Sequence, residues 1–293
     1  MTLRPTRLKD IIGQSNAKTI LQISINACNQ TNEVFPHCLV FGPPGTGKST
    51  IAQAMSNELS KKLHTANGAN IRSVKALLPH LMRINQGDIL FIDEIHRLPI
   101  NVAEFLYVAI EEYRVDLGKE NQMSITLPKF TFFGATTNAG SIPKPLFDRF
   151  ILKLPLELYT IDELSEIISK NSIKLKLNIT DSAIKLIAGS SRNTPRIANN
   201  RLIWIRHYAI SNCIHIINEE HILKALSLEG VNKNGIDNND IKYLNALKRH
   251  QPAGINTLCS LTNIARDTIE EVIEPFLLRN NLIKKTSKGR MLC

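Results

Sequence analysis

Gly42-Pro43-Pro44-Gly45-Thr46-Gly47-Lys48-Ser49 fits the pattern Gly-x-x-x-x-Gly-Lys-Ser/Thr in full. Glycines at these positions let backbone N–H groups turn toward phosphate oxygens at the positive end of a following helix. Lys48 is placed to reach the β- and γ-phosphates of a nucleotide, and the Ser49 hydroxyl to hold Mg²⁺. The motif requires a strand before it and a helix after it. Cys38-Leu39-Val40-Phe41 reads as a buried strand, and a helix is expected from Lys48.

Outward from this loop, Ile89-Leu90-Phe91-Ile92 and Phe130-Thr131-Phe132-Phe133-Gly134 are two more short apolar runs separated by helical patterns. Strands alternating with helices predict a parallel α/β sheet covered on both faces, over residues 1–155. From Thr160 the period changes. Ile161, Leu164, Ile167 and Ile168, then Ala183, Ile184, Ile187 and Ala188, fall at helical spacing, with Thr160 and Thr180 as N-caps. Residues 156–228 therefore read as all-helical. The polar stretch from Gly230 to Asp240 is the best linker. In 229–293, helical patterns are followed by two strand-like pieces flanking Ser287-Lys288-Gly289, the layout of a winged helix.

The chain has 293 residues, 43% of them hydrophobic and 21% charged, which excludes disorder, collagen and a disulfide scaffold. Apolar runs are far shorter than the roughly 18 residues of a membrane helix. No apolar signal core follows Met1-Thr2-Leu3-Arg4-Pro5, so a soluble, cytoplasmic protein with no membrane partner is expected. The five cysteines are scattered without a Cys-x-x-Cys pair, which predicts reduced thiols and no transition-metal site. The formal net charge of +10 and a pI near 9.4 suit a polyanionic partner such as nucleic acid, or serve solubility alone.

Ile89 to Ile92 ends in Asp93-Glu94. Asp93, at the end of a buried parallel strand beside the phosphate loop, can hold Mg²⁺ from behind its inner ligands. Glu94 can polarise an attacking water as general base. Gly134-Ala135-Thr136-Thr137-Asn138 closes the third strand with groups that orient that water and sense a γ-phosphate, or that make an ordinary turn. Arg149, after Pro145-Leu146-Phe147-Asp148, either reaches a neighbouring subunit's γ-phosphate or is a surface arginine paired with Asp148. Arg196, in Thr194-Pro195-Arg196, is open in the same way.

In this order the pieces resemble the AAA+ ATPases and, within them, the RuvB family, over nearly the whole chain. The particular marks are Ile12-Gly13-Gln14, Gly42-Pro43-Pro44-Gly45, Asp93-Glu94-Ile95-His96-Arg97, Gly134-Ala135-Thr136-Thr137 and Thr194-Pro195-Arg196-Ile197-Ala198-Asn199. Thr286-Ser287-Lys288-Gly289-Arg290 is similar to the family's basic wing. The resemblance implies an AAA+ domain, a helical lid and a winged helix, with ATP and Mg²⁺ as cofactors. It places Leu3 and Arg4 against the nucleotide and Ile12 in the adenine pocket. Gly42, Gly45, Gly47, Lys48, Ser49 and Thr50 hold phosphates and Mg²⁺, with Asp93 and Glu94 carrying hydrolysis. Thr137 matches a sensor, Arg149 a finger acting in trans, and Tyr159 and Arg196 close the site. Lys285 and Arg290 match DNA-contacting positions. The implied function is a hexameric motor that translocates duplex DNA and drives four-way junctions, with RuvA holding the junction.

Several residues depart from the family pattern. The segment between Val115 and Phe130 is shorter than the family's RuvA-docking hairpin, although Gly118-Lys119-Glu120-Asn121-Gln122 can turn a small one. That shortness keeps open a second reading, a nucleotide-gated loader that places a helicase or clamp on DNA. Phe147 stands where the family has an arginine, Lys285 replaces the usual wing arginine, and the chain begins at the first motif without the family's leader. Read by itself, the stretch from Arg279 carries Lys284, Lys285, Lys288 and Arg290 and no acidic side chain, which predicts salt-sensitive phosphate contacts. The preceding helix, 267–279, is acidic at Asp267, Glu270, Glu271 and Glu274 and is a poor groove reader. The wing is expected to touch DNA without base specificity.

Overall fold

The computed structural model describes residues 3–117 and 123–293, which form two compact units. The first comprises residues up to Tyr159 together with Thr194–Arg196; the second comprises Thr160–Asn193 and Ile197–Cys293.

In the first unit the elements run α1 (Ser15–Thr31), β1 (Cys38–Phe41), α2 (Lys48–Leu59), β2 (Leu63–Asn67), α3 (Val74–Leu81), β3 (Ile89–Asp93) and α4 (Ile100–Glu112). They continue with β4 (Arg114–Leu117), β5 (Met123–Thr126), β6 (Thr131–Thr136), α5 (Lys144–Asp148) and β7 (Leu152–Pro155). Five strands make one parallel sheet in the order β2-β3-β6-β1-β7. Side chains alternate between its faces, as the period of 2 requires. Leu39, Leu90, Ile92 and Phe132 join Leu77, Leu81, Leu106 and Leu146 in one core. Cys38, Val40, Phe91, Phe133 and Ala135 join Leu21, Ile25, Ile51 and Met55 in the other.

Two sheet strands escape the hydrophobic reading. Edge strand β2 is Leu-His-Thr-Ala-Asn, half-buried, and edge strand β7 carries Lys153 and Pro155. Their alignment comes from neighbours, with Leu63 opposite Ile89 and Leu154 opposite Val40. His64 hydrogen-bonds Asp88 at 2.9 Å, which fixes the start of β2 beside β3. Gly134 serves packing: a Cβ there would lie 2.8 Å from the Phe150 ring and 2.9 Å from Ile95. Phe150 uses that space to stack on Phe132, with ring centroids 5.2 Å apart. Strands β4 and β5 pair antiparallel, Leu117 opposite Met123; the expected turn at Gly118–Gln122 lies outside the described residues.

The second unit begins with α6 (Ile161–Lys174), α7 (Asp181–Ser190), α8 (Pro195–Ser211, whose first turn belongs to the first unit) and α9 (Glu219–Leu228). Thr160 caps α6 in a reciprocal box with Glu163, and Thr180 accepts from the Ala183 N–H. Then follow α10 (Asn238–Arg249), α11 (Ile255–Thr262), α12 (Arg266–Thr268), a π-turn (Ile269–Ile273), α13 (Glu274–Arg279), β8 (Ile283–Thr286) and β9 (Gly289–Leu292). Tyr243, Leu247, Leu258, Ile273, Leu277 and Ile283 form the core of this winged helix.

The stretch Gly230–Asp240, expected as a linker, is tied down. Asp237 caps α10, and Arg192, 8% exposed, donates from Nε to the Gly235 carbonyl at 2.9 Å and from Nη2 to Asp237 at 2.8 Å. Its guanidinium also pairs with the fully buried Asp240 and lies 4.3 Å over the Phe276 ring. Removing one partner of a buried ion pair leaves the other charge uncompensated, at a cost of about 3–5 kcal/mol. Arg192→Ala should lower the stability of the second unit by that order in urea unfolding, and Asp237→Ala, whose partner keeps Asp240, by less.

Candidate functional site

The register of the sheet brings the chemistry together. Phe41 at the end of β1 sits opposite Thr136 at the end of β6, and Ile92 of β3 opposite Gly134. The residues that follow these strands, the phosphate loop, Asp93-Glu94 and Thr137, therefore emerge side by side at one edge of the sheet.

The loop itself is held by internal bonds. Lys48 Nζ donates to the carbonyls of Gly42 (2.8 Å) and Pro43 (3.0 Å), and buried Thr46 Oγ1 donates to the Pro43 carbonyl (2.8 Å). Gly45, at φ +83°, is also crowded, because a Cβ would come within 3.3 Å of the Cβ atoms of both Thr194 and Arg196. Tyr159, 4% exposed, brings its hydroxyl near Gly47, 3.9 Å from where a Cβ would stand. No side chain caps the N-terminus of α2, so its first-turn N–H groups face the loop without a side-chain acceptor. Burial lowers the pKa of Lys48, and Arg196 pushes the same way, while Glu94 and Asp93 oppose them. An ammonium so placed favours an added anion.

Ser49 Oγ donates to Asp93 Oδ2 at 3.3 Å. A hydroxyl beside a carboxylate at a helix N-terminus is an oxygen pair that suits Mg²⁺, and together with the uncapped amides it fits a nucleotide–Mg²⁺ complex. Glu94 occupies left-handed backbone at φ +51°, a conformation costing about 1–3 kcal/mol for a residue with a Cβ. Its N–H donates to Asp93 Oδ1 at 3.0 Å. Its Oε2 accepts from the N–H (3.3 Å) and Oγ1 (3.1 Å) of Thr137 and lies 3.1 Å from His96 Nδ1. That same nitrogen is 2.8 Å from Thr136 Oγ1. His96 and Thr136 are thus part of the site. Their sequence signal was position alone, two residues after Glu94 and one before Thr137. A carboxylate oriented by hydroxyl, amide and imidazole can take a proton from water.

Arg149 ends α5 and pairs with Glu111 of α4 at 2.5 Å rather than with Asp148, its guanidinium carbon 5.9 Å from the centre of the Tyr107 ring. Its side chain is 36% exposed. Phe147 packs on the core with Lys153 Nζ 4.9 Å over its ring. Leu3 is buried, Ile12 half-buried and Arg4 exposed, while half-buried Thr50 lies in the first turn of α2 directly after Ser49.

On the wing, Lys285 opposes Arg290 across the hairpin, so both share a face. Lys285 Nζ (2.5 Å) and Arg290 Nε (2.8 Å) both hold Glu274, which is fully buried and also accepts from Tyr243 (2.9 Å). Burial alone would raise the Glu274 pKa, but these donors bring it below the ordinary value. Glu274 therefore faces the core side of its helix. Lys288, in the turn, is exposed.

Family models match the whole of this layout: the Holliday junction DNA helicase RuvB P-loop domain over residues 3–156, the RuvB AAA lid domain over 159–232 and the RuvB C-terminal winged helix domain over 233–293. The chain belongs to the RuvB family. It is 40% identical to the Holliday junction branch migration complex subunit RuvB of Rhodopirellula baltica, covering 99% of this chain and 82% of that one. With the same-named subunit of Campylobacter concisus it shares 41% over 99% and 89%. The structure of the Thermotoga maritima RuvB Holliday junction branch migration motor superposes with a TM-score of 0.90 at 36% identity, over 99% of this chain and 95% of that one. Among the described residues no helix is long and apolar enough to cross a membrane.

Removing the charge of Glu94 while keeping its shape isolates its chemistry. Glu94→Gln should retain ATP binding by equilibrium titration and lose about 10²–10⁴-fold in turnover. Thr137→Val, which deletes one of the donors orienting Glu94, should lose less than Glu94→Gln.

Proposed function

We propose that this chain is an ATP-driven motor that moves duplex DNA and migrates four-way junctions. The observation that carries the reading is the convergence of Lys48, Ser49, Asp93, Glu94 and Thr137 at the ends of three adjacent strands. Lys48 and the α2 amides bind the phosphates, and Ser49 with Asp93 holds Mg²⁺, which when bound neutralises phosphate charge. Glu94, steered by Thr137 and His96, takes a proton from the attacking water.

Arg149 supplies the charge that a neighbouring subunit's γ-phosphate needs during transfer, where a guanidinium is worth about 10³–10⁵ in rate. A partly exposed arginine held by Glu111 and Tyr107 suits that role in trans. The chain works as a hexameric ring around duplex DNA in the cytoplasm, with a RuvA-like protein at the junction. Thr194 and Arg196 pack against Gly45, and two residues earlier Arg192 is bound to the start of the winged helix. That chain path supports transmission of the nucleotide state to the DNA-binding part.

With ATP and Mg²⁺ the protein, supplied with a RuvA-like partner, should convert a labelled four-way junction into its two duplex products. Lys48→Ala should bind no ATP and convert none. Junctions left intact by the wild-type protein, with ATP turned over, would refute the motor reading. Arg149→Ala should bind ATP and fail to hydrolyse it, with partial recovery on mixing with Glu94→Gln subunits. Unchanged inactivity of the mixture would exclude action in trans.

A further inference from the structure

Two of the wing cations that the sequence singles out, Lys285 and Arg290, are tied down, while Lys284 and Lys288 are exposed. Lys285 and Arg290 turn back onto buried Glu274, and Arg290 is further drawn by Glu270 at 3.7 Å. By contrast Lys242, Lys248 and Arg249 on α10 are exposed and make no ion pair among the described residues.

Two of these, Lys242 and Arg249, border a concavity of about 440 Å³ between α10 and α11. Its lining includes Lys242, Asn245, Arg249, His250 and Thr262, and contains no carboxylate. Favourable interaction with the helix dipole accounts for basic residues in the last turn of α10, which explains Lys248 and Arg249. It does not explain Lys242, nearly two turns earlier, nor Asn245 between them on the same face.

This face runs directly into the wing. Immediately after His250, Gln251 Oε1 accepts from the Leu292 N–H at 2.9 Å. Ala253 exchanges backbone bonds with Arg290, N–H to carbonyl at 3.0 Å and the reverse at 2.9 Å. The segment between α10 and α11 is thus a third strand-like edge on the β8–β9 hairpin. The rim of the concavity at His250 is therefore joined to the basic hairpin through Gln251 and Ala253.

We propose that the concavity bordered by Lys242, Asn245, Arg249 and His250 is a second contact for duplex DNA, taking backbone phosphates beside the wing. The inference rests on the motor reading above and adds to it a site outside the wing. Lysine and arginine supply charge, with the arginine fork suited to a phosphate, and Asn245 and Thr262 supply neutral polar groups. None of these forms a base-reading pattern, which suits a protein that must move along any sequence.

Each phosphate neutralised on B-DNA adds about 0.9 to the steepness of log K against log salt. Anisotropy of a labelled duplex, titrated with the full-length protein over about 0.05–0.2 M salt, reads that slope. Lys242→Gln with Arg249→Gln should flatten it by about 1.8. If counterion release is the whole of each contact, affinity falls about 60-fold at 0.1 M salt. The charge-keeping pair Lys242→Arg with Arg249→Lys should hold the wild-type slope. An unchanged slope in the neutralised protein would overturn this site while leaving the motor intact, and would be the result if the concavity served an acidic protein surface. An equal loss in the charge-keeping pair would overturn it as well, by showing a packing effect. Wild-type protein that bound no duplex would overturn the motor reading and this site together.

Discussion

The arrangement depends on one constraint: parallel strands cannot be joined by tight turns. Every crossover must leave the sheet, pass through a helix or loop and return, so the ends of parallel strands all lie on one edge. With the order β2-β3-β6-β1-β7, that edge places the exits of β1, β6 and β3 next to one another. Residues 44 and 43 positions apart in the chain then meet within hydrogen-bond distance, Ser49 with Asp93 and Glu94 with Thr137. Burial of both sheet faces holds these exits rigid, so the Glu94 backbone can stay in a conformation it would leave in isolation.

Much of this was legible because the informative residues carry local chemistry. The glycine-lysine-serine loop, the apolar run ending in two acids and the threonine-rich end of β6 each announce a strand and its exit. Strands β2 and β7 were not legible, because an edge strand is stabilised by the neighbour it pairs with and carries no apolar run of its own. The same limit governs charge. Sequence shows that Glu274 is acidic and Arg290 basic, but not that both point to one core, where Tyr243 and Lys285 complete the set. Asp148 was the nearest partner in sequence for Arg149, yet the turn of α4 brings Glu111 closer.

The polar segment before α10 is held by bonds that its composition does not show. Asparagines and glycines between Gly230 and Asp240 satisfy the pattern of a loose connection, but the Gly235 carbonyl and the Asp237 and Asp240 carboxylates there accept from Arg192. Buried arginine and aspartate together join the last turn before α8 to the first turn of α10. The lid and the winged helix consequently form one compact unit, suited to delivering movement as a body rather than dissipating it in a tether.

The central claim is that chemistry at the strand ends is spent on duplex DNA. The direct measurement is the rate of ATP turnover with Mg²⁺ in the absence of nucleic acid and with duplex, single-stranded and four-way junction DNA. Strong stimulation by duplex and junction is expected, with weak stimulation by single strands and loss of the effect in moderate salt. Turnover indifferent to all three would contradict it and would point to a nucleotide-gated loader that answers to a protein partner.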